Sequence, residues 1–420
     1  MRKIFAFIVL VLLAVSCTVW RGVFYGRMDI DDYKIFLQDT IRKSGVPFHF
    51  TTCENIYLDT ARVLRIKLKG GDWQGTTLDS LLANSLTASF LIIRNDTILF
   101  EKYYKGFDRS TISTIFSVSK SITSLLTGIA VDEGYIESVN DPVTKYLPEL
   151  KKKDPMFGKL TIEHLLDMRT GLKFKEEYGW NPFRGIARLY YGTNQQRQIK
   201  HLKFKEEPGM SHYYNSMATT ILGVILERAT GKPLAQYAEE KVWKPLGMEY
   251  NAQLSLDDKR HRSAKAFGGF STNAIDLAKI GRLYLHKGNW NGKQIVDTAW
   301  IERSARTNYQ NEGYQYCWYK ISHAVTDSLN NTLFFKDSLS AARHITAAGL
   351  DPSRYLIDNY VPENAYIYTY YEDPTYALGV LGQVLYFDPR KNLIMVRLGP
   401  SNERDYYNTM EVISRLFRNQ

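Results

Sequence analysis

A chain of 420 residues, 44% hydrophobic and 23% charged, can bury a large core and is neither disordered nor fibrous. Its net charge of +10 suits an anionic membrane surface or a carboxylate-bearing substrate. Nucleic acid is not expected as a partner, because the basic residues are scattered and the one tight cluster, Lys151 to Lys153, reads as a solvated turn.

In chain order, Met1-Arg2-Lys3 precedes an apolar run from Ile4 to Val15 that ends at Ser16-Cys17, the anatomy of an export signal. Leu13 to Cys17 resembles a bacterial lipoprotein cleavage site with Cys17 as the lipidated residue, although Ala14 stands where leucine is commonest. An uncleaved anchor (Ile4 to Trp20 is at the lower limit for a spanning helix) and an ordinary cleaved signal are the alternatives. All three put the body of the protein outside the cytoplasm, on the periplasmic side of a membrane, and the first two tether it there. Beyond Cys17, only Cys53 and Cys317 remain; whether they pair is left open. No Cys/His cluster has zinc spacing and no glycine-rich phosphate loop occurs, so neither a metal nor a cofactor is expected.

Residues 1–20 are thus read as signal or anchor, 21–87 as an N-terminal extension and 88–420 as the main domain. In the extension, Asp31 to Phe36 reads as a helical patch and Val63 to Leu68 alternates like a half-buried strand. The main domain opens with a hairpin, Ser89 to Ile93 and Thr97 to Tyr104, turned at Asn95-Asp96.

Next comes Ser117-Val118-Ser119-Lys120 at the head of an apolar helix with Ile122, Leu125, Leu126 and Ile129 on one face and Gly134 as its stop. A serine hydroxyl is a poor nucleophile until a base takes its proton, and a lysine three positions on lies one turn away on the same face. The helix dipole and burial favour the neutral amine, which is then a base. No other serine in the chain has lysine at +3. A solvated first turn with a capping serine is the bland alternative. Further helices are predicted from Thr161 to Gly171 and over Ala218 to Ala229, closed by Gly231. A second hairpin, Gln383 to Phe387 and Leu393 to Leu398, and a last helix from about Asp405 to Phe417 complete the chain. Hairpin, helices, hairpin and helix read as α+β with an antiparallel sheet rather than alternating α/β.

Taken together, these segments resemble the serine β-lactamase and penicillin-binding-protein-like hydrolases, nearest to class C β-lactamases, their esterase relatives and 6-aminohexanoate-dimer hydrolases. The resemblance is carried by Ser117 to Lys120, Thr161 to Leu172, Pro208-Gly209 through Tyr214-Asn215-Ser216 to Gly231-Lys232, Pro245 to Met248 and Gly268 to Ala278, in family order from about 88 to 400. It implies a β-lactamase/transpeptidase-like fold, an antiparallel sheet flanked by helices, with a helical subdomain at about 135–265. It also implies roles: Ser117 as acylated nucleophile, Lys120 as its proton partner, and Tyr214 as second acid/base group holding Lys120 and the leaving group. Tyr213 is the less favoured choice for that last role. Ser216 would contact the substrate amide or Lys120. Gly379 and Val380 would bind substrate beside the oxyanion. Tyr178 and Trp180 are candidates to line the pocket.

Two departures bear on substrate. No Lys-Thr-Gly, Lys-Ser-Gly or His-Thr-Gly occurs; Tyr376 to Gln383 stands in that place and resembles the apolar version of some esterase-like members. The oxyanion hole needs only backbone N–H groups, so acyl transfer survives, but the cation that grips a substrate carboxylate is gone. The second is the tyrosine-rich stretch between Tyr319 and Tyr376, either substrate wall or surface decoration. The expectation is an extracytoplasmic serine hydrolase acting on a small ester, amide or peptide-like substrate. A β-lactamase or D-alanyl peptidase, or a non-catalytic cell-wall or ligand-binding protein on the same fold, are the alternatives. Oligomeric state is not legible.

Overall fold

The structure, a computed structural model, describes residues 21–22, 24–52, 63–67, 73–178, 185–327, 332–351, 355–360, 365–401 and 406–418. Cys17, Cys53 and Trp180, and with them the lipidation and pairing expectations, lie outside the described residues. Among the described residues no helix is long and apolar enough to cross a membrane.

A nine-stranded sheet organises the chain. Its strands are β1 (Thr51–Thr52), β2 (Ser89–Arg94), β3 (Thr97–Tyr103), β4 (Tyr314–Gln315), β5 (Trp318–Ala324), β6 (Tyr355–Tyr360), β7 (Ala365–Gly379), β8 (Gln383–Asp388) and β9 (Leu393–Leu398). The order is β4-β5-β7-β8-β9-β2-β3-β1, with β6 pairing along the outer part of β7. All pairings are antiparallel except β1 with β3. The β2–β3 hairpin turns on Asn95 and Asp96, both at positive φ (51° and 57°), the backbone that a two-residue turn between twisted strands requires.

The central strands β8 and β9 are buried at every position because both faces are covered. Leu91, Ile93, Leu385, Phe387, Ile394 and Val396 join the main core, while Phe90, Ile92, Val384, Tyr386 and Met395 join a second one. This is the period of two of a pleated strand serving two layers. The first face carries α1 (Val118–Asp132) and α5 (Ala274–Leu285); the second carries α7 (Tyr406–Ser414) and the helix Leu78–Ala83. Between β3 and β4 the chain builds a helical layer with α2 (Ile162–Leu166), α3 (Gly185–Tyr191) and α4 (Ser216–Thr230), the last packed on α1. A small four-stranded sheet, Gln38–Ile41, Ala252–Ser255, Phe270–Thr272 and Ser113–Thr114 in that order, ties the N-terminal segment to the chain just ahead of Ser117.

The expected helices stand where apolar periodicity places them, with different ends. The α2 helix begins at a capping box, in which Thr161 accepts from His164 N and His164 Nδ1 accepts from Thr161 N, but stops at Leu166 rather than Gly171. Met168 is in the left-handed region (φ 57°) and breaks it. The Asp31–Phe36 patch is only a 3-10 turn, Asp32–Lys34. In the tyrosine-rich stretch, β6 and β7 form a hairpin covered by α6 (Ser338–Ala347), with Ala341, Ile345 and Tyr368 as a core of their own.

Candidate active site

Ser117 stands where the small sheet hands the chain to α1. Phe116 adopts φ 45°, turning the backbone so that the helix starts at once, and Ser117 is its N-cap without a side-chain cap bond. From Ser113 to Ala130 every residue is buried except Ser117, which alone reaches solvent. The bland capping role is therefore not the one this hydroxyl plays.

Lys120, one turn on, is 1% exposed. Its Nζ donates to Ser117 Oγ at 3.0 Å and to the Phe267 carbonyl at 2.8 Å, and packs over the Tyr214 ring, 5.0 Å from its centroid. No carboxylate lies within ion-pair distance of it among the described residues. Burial lowers its pKa to about 8, with Glu176 and then Cys317 pulling weakly the other way. The neutral amine is thus accessible near physiological pH.

Tyr214 arrives on a short extended segment. Gly209 N donates to Arg169 O (2.7 Å) and Tyr213 N to Met168 O (3.0 Å), after which Asn215 caps α4 by accepting from Met217 N (2.9 Å). Adjacent residues on that segment face opposite ways: Tyr213 is 40% exposed under Lys205, whereas the Tyr214 hydroxyl hydrogen-bonds with Ser117. Burial holds the Tyr214 phenol well above its ordinary pKa, so it is a neutral donor. The Lys120 ammonium meets the ring of Tyr214, not a hydrogen bond from its hydroxyl, and both groups converge on Ser117.

The loop after Gly171 supplies what the sequence did not flag. Glu176 accepts from Ser216 N (2.9 Å), Ser216 Oγ (2.6 Å) and Tyr178 Oη (2.9 Å), and Tyr178 also hydrogen-bonds with Ser117. Ser216 is therefore turned to Glu176 rather than to Lys120, because it opens α4 and its own N–H already points at that carboxylate. A lone Glu in an aperiodic loop carries no pattern; its place two residues before Tyr178 was the only signal. Behind Tyr214 an aromatic wall runs through Tyr319 and Tyr376, stacked at 6.3 and 5.3 Å between centroids, with Tyr314 edge-on to both Tyr214 and Tyr319. Among the described residues of the tyrosine-rich stretch, Tyr355 packs edge-on to Tyr368 and Tyr370 where β6 pairs with β7.

Gly379 ends β7 against the Ser117 loop: a Cβ there would meet the Ile115 carbonyl at 2.4 Å, so only glycine permits this approach. Val380 then opens a 3-10 turn, where no intra-element acceptor takes its N–H, and Ser117 N–H has the same freedom at the head of α1. Buried Arg397 donates to the Leu381 and Gly382 carbonyls (2.7 and 2.9 Å) and Gln383 Nε2 to Val380 O (3.2 Å), fixing the turn. Cys317, across α1, is a buried free thiol whose pKa is pushed up to about 12 by burial; it accepts Ser121 Oγ on its carbonyl at 2.7 Å.

Among the described residues, two clusters bring three ligand-type groups within 4.8 Å: Asp257, Asp258 and His261, and His323, Glu372 and Glu411. The His261 ring is bonded to Asp258 (3.0 Å) and Asn194 (2.8 Å), and Glu411 is paired with Arg415, so both sets are committed to protein partners.

The β-lactamase family profile matches residues 76–406, a span that includes Ser117, Lys120, Glu176, Tyr214 and Gly379. The chain belongs to the β-lactamase family. Among curated relatives it is similar to the 6-aminohexanoate-dimer hydrolase of Paenarthrobacter ureafaciens, 28% identical over 54% of this chain and 58% of that one. It is also similar to a provisionally named D-alanyl-D-alanine carboxypeptidase of Salmonella agona, 28% identical over 41% of this chain and 46% of that one. The chain thus spans about half the length of the curated relatives it matches. Among solved structures, a provisionally named 6-aminohexanoate-dimer hydrolase from Bacillus anthracis superposes with a TM-score of 0.69 at 21% identity, covering 92% of both chains. The fold is β-lactamase/transpeptidase-like.

Proposed function

We propose that this protein is a serine hydrolase that cleaves an ester or amide through an acyl-enzyme on Ser117. The observation that carries the reading is a buried lysine with no carboxylate partner, 3.0 Å from the one serine of its helix head that reaches solvent. Neutral Lys120 takes the hydroxyl proton as Oγ attacks the substrate carbonyl. The tetrahedral oxyanion meets the N–H groups of Ser117 and Val380. From its place beside Ser117 Oγ, Lys120 gives the proton to the leaving oxygen or nitrogen, which the Tyr214 hydroxyl steadies; the C–O or C–N bond breaks, and Ser117 carries the acyl group. Water, activated by the same pair, then attacks the ester carbon and restores Ser117.

The export-type N-terminus and the carboxypeptidase name of one relative support action outside the cytoplasm on a small ester, amide or peptide-like substrate. A D-alanyl peptidase or β-lactamase stands second, favoured by that same name and disfavoured by the apolar Leu378-Gly379-Val380 in place of a cationic motif. Steady-state hydrolysis of short aryl esters by wild type and Ser117→Ala is the test. Turnover that disappears with Ser117→Ala is expected; equal rates would contradict the assignment, and rapid nitrocefin turnover would exchange the two readings.

A further inference from the structure

Beside Ser117 lies a cavity of about 440 Å³. Tyr178, beside Ser117, and Val380, whose N–H is the proposed oxyanion donor, both line it. Ile186, Ala187 and Tyr191, all on α3, form its floor. The opposite wall comes from the N-terminal segment, through Gly22 and Gly26 to Met28. Among the described lining residues Arg27 is the only charged one, and it is exposed.

That wall is built in. Gly26 takes φ 71° and its N–H donates to Gly22 O (3.2 Å), while its carbonyl accepts from Tyr191 Oη (2.9 Å). Arg21 Nη1 reaches the Asp257 carbonyl (2.9 Å), and Tyr25 meets Phe36 edge-on at 6.5 Å. Arg21, Tyr25 and Gly26 thus tie the segment to Asp257, Phe36 and Tyr191.

We infer that this cavity is an acyl-chain subsite, that the segment ending at Met28 is its specificity wall, and that the substrates are esters or amides of apolar, straight-chain acyl groups. The inference rests on the Ser117 reading for its chemistry. It follows from where the cavity opens. A carbonyl oxygen held at Val380 N–H places the acyl substituent along Val380 and Leu381, which line the cavity, and the leaving group toward Tyr214, which does not. The described lining is apolar and buries no charge, so it disfavours a charged acyl group and gains with each buried methylene. At about 0.8 kcal/mol per CH₂, kcat/KM should rise roughly fourfold per added methylene until the cavity is full.

The test uses the full chain with p-nitrophenyl esters from acetate to dodecanoate. A climb of roughly two-hundredfold from acetate to hexanoate is expected, then a plateau or fall. Ala187→Phe, which fills the cavity, and Met28→Asp, which charges the wall, should each cut the hexanoate-to-acetate ratio about tenfold. A flat chain-length profile, or a ratio untouched by both variants, would overturn the inference. Calorimetry of hexanamide and acetamide on Ser117→Ala reads the same subsite without turnover. Tighter hexanamide binding that Met28→Asp weakens is expected, and equal binding of the two amides would overturn it. Should no ester acylate Ser117 while hexanamide still binds in this way, the hydrolase reading fails and the subsite stands.

Discussion

Two buried lysines on the same face of the sheet have opposite surroundings. Lys279, inside α5, is 0% exposed and lies 3.0 Å from Asp276 and 3.3 Å from Glu249, with the Gly247 carbonyl at 2.9 Å. Lys120, on α1, is equally dry but meets a hydroxyl, a carbonyl and an aromatic face. A buried ammonium needs a counter-ion; where two carboxylates stand beside it, it is a fixed charge that joins elements. Where none does, desolvation weakens its hold on the proton, and the amine becomes a base. The difference separates a structural lysine from a reactive one more sharply than either residue's burial or motif.

Activity offers the widest way to sharpen that contrast. Ser117→Ala should lower kcat by about 10⁴-fold or more and Lys120→Met by about 10³-fold in ester hydrolysis. Stability should move the other way. Lys279→Met leaves the buried Asp276 without its cation, Glu249 keeping Arg109, and should destabilise by about 3 kcal/mol in denaturant titration. Lys120→Met removes an amine whose pKa burial brings from 10.5 to about 8, worth about 3 kcal/mol at 1.36 kcal/mol per unit. With about 1 kcal/mol returned for lost hydrogen bonds, the variant should be more stable than wild type by about 2 kcal/mol at pH 6. The sign follows from linkage: between pH 8 and 10.5 the unfolded chain holds the proton that the folded one releases, so wild-type stability rises with pH and the advantage of the variant fades. Equal destabilisation by both lysine substitutions would break the comparison.

Smaller effects test the groups around Lys120. Tyr214→Phe keeps the ring over the amine and removes the hydroxyl, so kcat should fall about 10²-fold while the fold is unchanged by circular dichroism. The pH profile of kcat/KM should climb through pH 8 as Lys120 loses its proton. Glu176→Gln removes a charge that favours the ammonium, and should therefore shift that climb to lower pH.

The Ser117-Lys120 pair was legible because helical spacing is local: three positions along one turn already place the amine by the hydroxyl. Tyr214 was legible only through its neighbours, since nothing in a single tyrosine distinguishes it from the other 28 of the chain's 29. Glu176 and the Gly22–Met28 wall were not, because both act across long sequence separations from segments without apolar period. The break between β4 and β5 at Tyr316 and Cys317 was hidden for a related reason. Both residues take positive φ (44° and 66°), held by Asp167 Oδ1 on Tyr316 N and by Leu166 O on Cys317 N, a tertiary demand that propensity does not record. Likewise, β7 runs from Ala365 as one strand, although only its inner end reads as strand from composition.

The most direct measurement of an activated Ser117 is the rate of fluorophosphonate labelling against pH, followed by intact mass. Activation by Lys120 predicts one adduct on wild type with a rate that rises through pH 8, none on Ser117→Ala, and a slow, flat profile on Lys120→Met. An adduct that persists in Ser117→Ala, or a folded wild type that takes no label at any pH, would contradict it.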